Sequence, residues 1–154
     1  MTDLTALLEE AKALRASVGV GSAGDSMPVL HDRLLHARGV LDRLEEILAT
    51  VILVHTRTKE QVADTRYDND DAWNRIAASP RRNVGLESAP RERYAEYAMH
   101  TVKEQVAFRQ AEKAERQAGA VVEILRLYHR GVDGVRRDLD SRIRSLAWDL
   151  HLES

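Results

Sequence analysis

From Leu30 to Ile76 the chain repeats one spacing: Leu30, Leu34, Ala37, Leu41, Leu44, Leu48, Val51, His55, Thr58, Val62, Thr65, Asn69, Ala72 and Ile76 follow each other at alternating steps of four and three. Side chains at those steps return to one edge of a slightly underwound α-helix, which is the pattern of a coiled-coil seam. After Gly39 neither proline nor glycine interrupts it until Pro80. A helix of about 50 residues would reach roughly 75 Å, and a seam of that length needs a partner along it. Val40, Ile47 and Val54 add a second stripe to the first half. The second half turns polar at His55, Thr58, Thr65 and Asn69.

The C-terminal third supplies the partner. Ala118, Val121, Leu125, Tyr128, Val132, Val135, Leu139, Ile143, Leu146 and Leu150 form a strong seam, preceded by the small residues Ala95, Ala107, Ala111 and Ala114 among many charges. If the two segments run antiparallel, apolar half meets apolar half and polar half meets polar half. Each pattern therefore predicts the other. The stretch "AASPRRNVGLESAPRERYAEY", with Pro80, Gly85 and Pro90, is the helix breaker between them.

Before these comes "TDLTALLEEAKALRASV", with Leu4, Leu7, Leu8, Ala11 and Leu14 on one helical face and Thr2 or Asp3 as cap. "GVGSAGDS" ends it, because glycine costs a helix about 1 kcal/mol relative to alanine. Asp25 or Ser26 can cap the next helix, whose first turn tolerates Pro28. The expected fold is thus all-α and a single helical domain over 1–154. A short helix spans 3–17, a Gly-rich linker 18–26, a long helix 28–78, a bend 79–90 and a second long helix 91–152. The result is a long antiparallel helical hairpin, a coiled coil with a short N-terminal helix. A rod this thin leaves apolar surface at its apolar end, so the expectation is a homo-oligomer assembled there through Val121, Leu125, Tyr128, Val132, Val135 and Leu139, the alternative being a monomeric three-helix bundle.

Several function classes recede on composition. The absence of cysteine excludes disulfides and thiolate metal sites, and fits a reducing, cytoplasmic setting. No apolar run approaches the roughly 18 residues of a membrane span, and the start does not read as a signal peptide. The histidines at 31, 36, 55, 100, 129 and 151 lack metal-ligand spacing, so no metal and no cofactor are expected. His55, on the seam, reads as a register-setting or locally hydrogen-bonded group. Asp64, Asp68 and Asp71 share a helical face that could hold a hard cation, but three carboxylates on one helix rarely enclose an ion, so it reads as a solvated acidic face facing Arg75 or the partner helix. No phosphate loop, nucleophile elbow or kinase-like set occurs, so no catalytic residue and no enzyme are expected.

A net charge of −2 gives no whole-surface attraction for nucleic acid, so any such site must be local. The bend offers one. Arg81, Arg82, Arg91 and Arg93 can neutralise phosphates, and Tyr94 and Tyr97 can stack on bases, the ingredients of a single-strand binding surface. Tyr67 and Trp73 precede the bend. The rival is a structural or adaptor coiled coil, such as a phage assembly factor or scaffold, which needs only reversal of the chain there.

Three stretches resemble the phage UvsY-type recombination mediators. "ERYAEYAMHTVKEQV" is similar to the Arg-Tyr and Met-x-Thr-Val at the start of that family's long C-terminal helix. "VVEILRLYHRGVDGVRRDLDSRIRSL" resembles the helix the family uses for assembly, and "TRYD", Thr65 to Asp68, falls where the family has an Ala-Arg-Leu-Asp segment associated with DNA binding. Of that segment's basic residues Arg66 matches, while Asp64 stands where the family is basic. The resemblance implies a helical bacteriophage protein of DNA recombination, acting in the host cytoplasm. It would bind single-stranded DNA and load a recombinase onto strands covered by single-strand binding protein.

Overall fold

The structure is a computed structural model that describes residues 2–77 and 102–152. Three helices account for almost all of them, with no strand among the described residues: α1 (Leu4–Ala16), α2 (Met27–Ala77) and α3 (Val102–Leu152). The long helices α2 and α3 pack against each other as the two arms of a helical hairpin. None of the described helices is long and apolar enough to cross a membrane. The expected bend 79–90 and the expected helical residues 91–101 lie outside the described residues.

Local chemistry sets the helix ends. Asp3 caps α1, its carboxylate accepting from the backbone N–H of Thr5 and Ala6 at 2.9 and 3.2 Å. Ser17 closes the helix, its hydroxyl donating to the Leu14 carbonyl. In the linker Gly21 takes a φ of 72°, a left-handed conformation open to glycine at little cost. Asp25 does not cap α2. Its carboxylate turns back to accept from Ser22 N–H and hydroxyl at 2.9 and 2.8 Å, and Ser26 offers the carbonyl that receives the first helical bond, from Leu30 N–H.

The described chain divides into two compact units, Met1–Leu53 with Ala120–Ser154, and Val54–Gly119. The first is a three-helix bundle. One buried cluster joins Ala11 of α1, Val40, Leu41, Leu44, Ile47 and Val51 of α2, and Val122, Leu125 and Val132 of α3. Leu4, Leu7, Leu14, Leu48, Val121 and Tyr128 pack around it. A second cluster holds Leu30, Leu34, Ala37 and Leu139, with Val135, Ile143 and Leu146 against it. Burying each such Leu, Ile or Val contributes about 1.5–3 kcal/mol, which offsets the ordering of the backbone.

The expected seams appear with shifts: on α2 Ile47, at 1% exposed, is buried more deeply than the seam residue Leu48. Val122, at 3% exposed, is more deeply buried than Val121, because α1 makes a third wall and turns the centre of the packing by one position. Leu150 is exposed instead of closing the seam. Ion pairs rim this core: Arg43 bonds Glu10 of α1 at 2.7 Å and Glu46 at 2.8 Å, His129 meets Glu45 at 3.1 Å, and Arg136 bonds Asp133 and Asp140 along α3. The six residues expected to join copies all serve this core. Leu125, Val132 and Leu139 are fully buried within the chain, and Val121, Tyr128 and Val135 pack beside them.

Candidate nucleic-acid interface

The second unit begins where the seam changes from Val51 to His55, and its interior differs in kind. Its small residues Ala111 and Ala118 are buried at 3% and 0% exposed, and let the backbones approach. Beside them His55 Nε2 lies 2.9 Å from the Glu115 carboxylate, and a Cβ on Gly119 would stand 3.2 Å from the same nitrogen. Gly119 thus makes the space that the His55 ring fills. Thr58 and Thr65 satisfy their hydroxyls on carbonyls of their own helix, at 2.8 Å to His55 and 2.7 Å to Gln61, which lets a threonine stand on a seam without an unpaired donor. His55, Thr58, Val62, Thr65, Asn69 and Ala72 are all half-buried, so the expected register holds here too.

Arg66 is the one expected nucleic-acid residue within the described set, and it is exposed. Its guanidinium lies over the Phe108 ring of α3, 5.5 Å from the centroid. That contact fixes which side of α2 faces which side of α3. Residues seven apart on a coiled-coil helix share a flank, so Lys59 and Trp73 stand on the Arg66 side. On α3, Glu112 and Arg116 follow Phe108 at four and eight residues, and Arg109 stands next to Phe108 toward solvent. This flank therefore carries the basic residues Lys59, Arg66, Arg109 and Arg116, with the acids Asp70, Glu112 and Glu115. The half-buried rings of Trp73 and Phe108 lie among them. Tyr67 is 72% exposed on the outer surface of α2.

The other flank is mixed in charge, with Arg57, Arg75 and Lys103 among its acids. A pocket of about 520 Å³ is lined by Thr65, Asp68, Asp71, Ala72, Arg75, Lys103, Glu104 and Ala107. Asp71 pairs with Arg75, and Asp64 and Glu60 lie on the same side of α2. Glu104 Oε2 and Asn69 Oδ1 are buried here without a hydrogen-bond partner among the described residues. Among those residues no group of three or more His, Asp or Glu is placed to hold a metal ion.

Arg81, Arg82, Arg91, Arg93, Tyr94 and Tyr97, the other expected nucleic-acid residues, lie outside the described residues. Phe108, Arg109 and Arg116 were not singled out from sequence. The repeated seven-residue spacing of Lys59 with Arg66, and of Arg109 with Arg116, is the signal that could have found them. Compared with known proteins, the chain matches no family model, no curated protein and no solved structure.

Proposed function

We propose that the chain is a non-enzymatic recombination mediator that binds single-stranded DNA and helps load a recombinase onto strands covered by single-strand binding protein. The observation that carries DNA binding is the flank of Lys59, Arg66, Arg109 and Arg116 around the rings of Trp73 and Phe108. Guanidinium and ammonium groups neutralise phosphates there, while ring faces and the flat Arg66 guanidinium take stacked bases. The mediator role is supported by the resemblance of "ERYAEYAMHTVKEQV" and "TRYD" to the phage mediators. Weak binding per copy becomes strong when several copies engage one strand, so assembly belongs to this reading.

The test is a titration of labelled oligo-dT at two ionic strengths, with the chain bearing Lys59→Ala, Arg66→Ala, Arg109→Ala and Arg116→Ala beside the native one. Four lost phosphate contacts should weaken binding at least tenfold and flatten the salt dependence by roughly 0.7 per contact. No binding of the native chain at low salt overturns the proposal. Unchanged affinity of the variant removes this flank from it.

A scaffold or adaptor coiled coil is the second reading, favoured by Leu127 and Trp148, which are 60% and 67% exposed on α3. A mediator retards a single strand more strongly than a duplex of equal length. An adaptor retards neither.

A further inference from the structure

The docking of α1 separates into two parts with different chemistry. At 13 residues α1 is too short to hold itself helical in water, so its structure depends on the groove it fills. There Ala11 is fully buried and Leu4, Leu7 and Leu14 pack around it, with Glu10 bonding Arg43 of α2. These contacts are indifferent to which copy supplies α1. The turn that follows is different, since it alone returns α1 to its own α2. Gly21 adopts φ 72°, Asp25 gathers Ser22 and Arg33, and Arg142 of α3 donates to the carbonyls of Val20 and Ser22.

We propose that α1 is an exchangeable arm: when the turn over 17–26 opens, the groove of one copy takes the α1 of a second copy, and two copies are joined. The occupant is a second copy because α1 is the segment already seen to fit the groove. Exchange preserves every groove contact and gives up only those of the turn, which makes it a low-cost route between identical chains. Val121, Leu125 and Tyr128 then become contacts between copies without moving. The inference rests on the reading that copies assemble, and is independent of DNA binding.

Two experiments on the full chain test it. A Cβ at Gly21 would overlap the Asp25 carboxylate and stand 2.8 Å from Arg33 Nε, and a branched residue is strained at positive φ. Gly21→Val thus burdens the closed turn and not the open one. Native mass spectrometry and light scattering across a concentration series should show the dimer-to-monomer ratio rising at least tenfold. The second experiment mixes a Glu10→Arg copy with an Arg43→Glu copy. Each alone sets like charges against each other, whereas exchanged arms match in both grooves of the mixed pair. The ratio of heterodimer to the two homodimers together, about one for random pairing, should rise about three- to tenfold. A random proportion, or a Gly21→Val chain no more dimeric than the native one, overturns arm exchange. Absence of any dimer in every mixture overturns assembly itself.

Discussion

Val51 and Val62 stand on the same seam of α2, eleven positions apart, yet truncating them to alanine should cost very different amounts. Val51 is 0% exposed and belongs to the main buried cluster, while Val62 is half-buried in the polar-seamed unit. Losing two methyl groups from a fully buried site forfeits about 1.6 kcal/mol of transfer free energy. A residual cavity of about 40 Å³ adds roughly 1 kcal/mol. The better helix propensity of alanine returns about 0.5. Val51→Ala should therefore destabilise by about 2 kcal/mol. At Val62 half the transfer loss, about 0.8 kcal/mol, and little cavity are set against the same 0.5, for a net cost of about 0.3. Urea unfolding monitored by circular dichroism measures both. Native-state hydrogen exchange adds the local view: amides of 44–51 and 122–132 should exchange only through the largest openings, and those of 58–72 and 104–115 through smaller ones. Equal costs at the two valines, or equal protection of the two sets, would refute the claim that apolar burial is concentrated in the first unit.

Two further perturbations probe polar contacts. Hydrogen bonds from Arg43 to Glu10, from Ser22 to Asp25 and from Arg136 to Asp133 hold these three carboxyls below their ordinary values of 4.5, 3.8 and 3.8. A depressed folded pKa means that the unfolded chain binds more protons near those values. The contribution is complete above about pH 5 and is lost as pH falls through the folded values. The urea midpoint should drop between pH 5 and pH 3, and less so for Asp133→Asn; a flat profile contradicts the assignment. At Gly119, alanine gains about 1 kcal/mol of helix propensity but presses a methyl against His55 Nε2. Gly119→Ala should be near neutral in the native chain and stabilising by about 1 kcal/mol beside His55→Ala, and additive effects in that cycle would show that the ring yields freely.

The hairpin was legible because its information is one-dimensional. A four-three spacing over Leu30–Val51, answered by Ala118–Leu139, names both faces and their antiparallel order before any coordinate is known. The shift from Val121 to Val122 was not legible, since it depends on where α1 enters, and a seam drawn for two helices has no place for a third. Asp25 illustrates a second limit. As a capping type just before Pro28 it reads as a helix cap, but a positive-φ glycine four residues earlier lets the chain return close enough for Ser22 to claim the carboxylate. The set of basic residues was hidden for a third reason. Lys59, Arg66, Arg109 and Arg116 lie far apart in sequence, and the Arg66–Phe108 contact brings them to one side only after α2 and α3 have chosen their rotation.

That rotation has a cause in the polar seam itself. An alanine-lined interface fixes the distance between helices but fixes their rotation weakly, because small side chains interlock poorly. His55 supplies what Ala111 and Ala118 lack: its ring enters the space over Gly119 and its nitrogen meets Glu115, a fit that fails if α3 slides or turns by one position. A single polar residue on a seam is a known way to set register at some expense of stability. With register set, Arg66 reaches Phe108, and Lys59, Arg66, Arg109 and Arg116 come to one side of the hairpin. His55→Leu should on these grounds retain or raise stability while loosening the register. The measurable sign is loss of the Arg66–Phe108 contact, read as a change in the Phe108 ring proton shifts in NMR spectra. A variant whose ring shifts match the native chain would show that the alanines and threonines set the rotation alone.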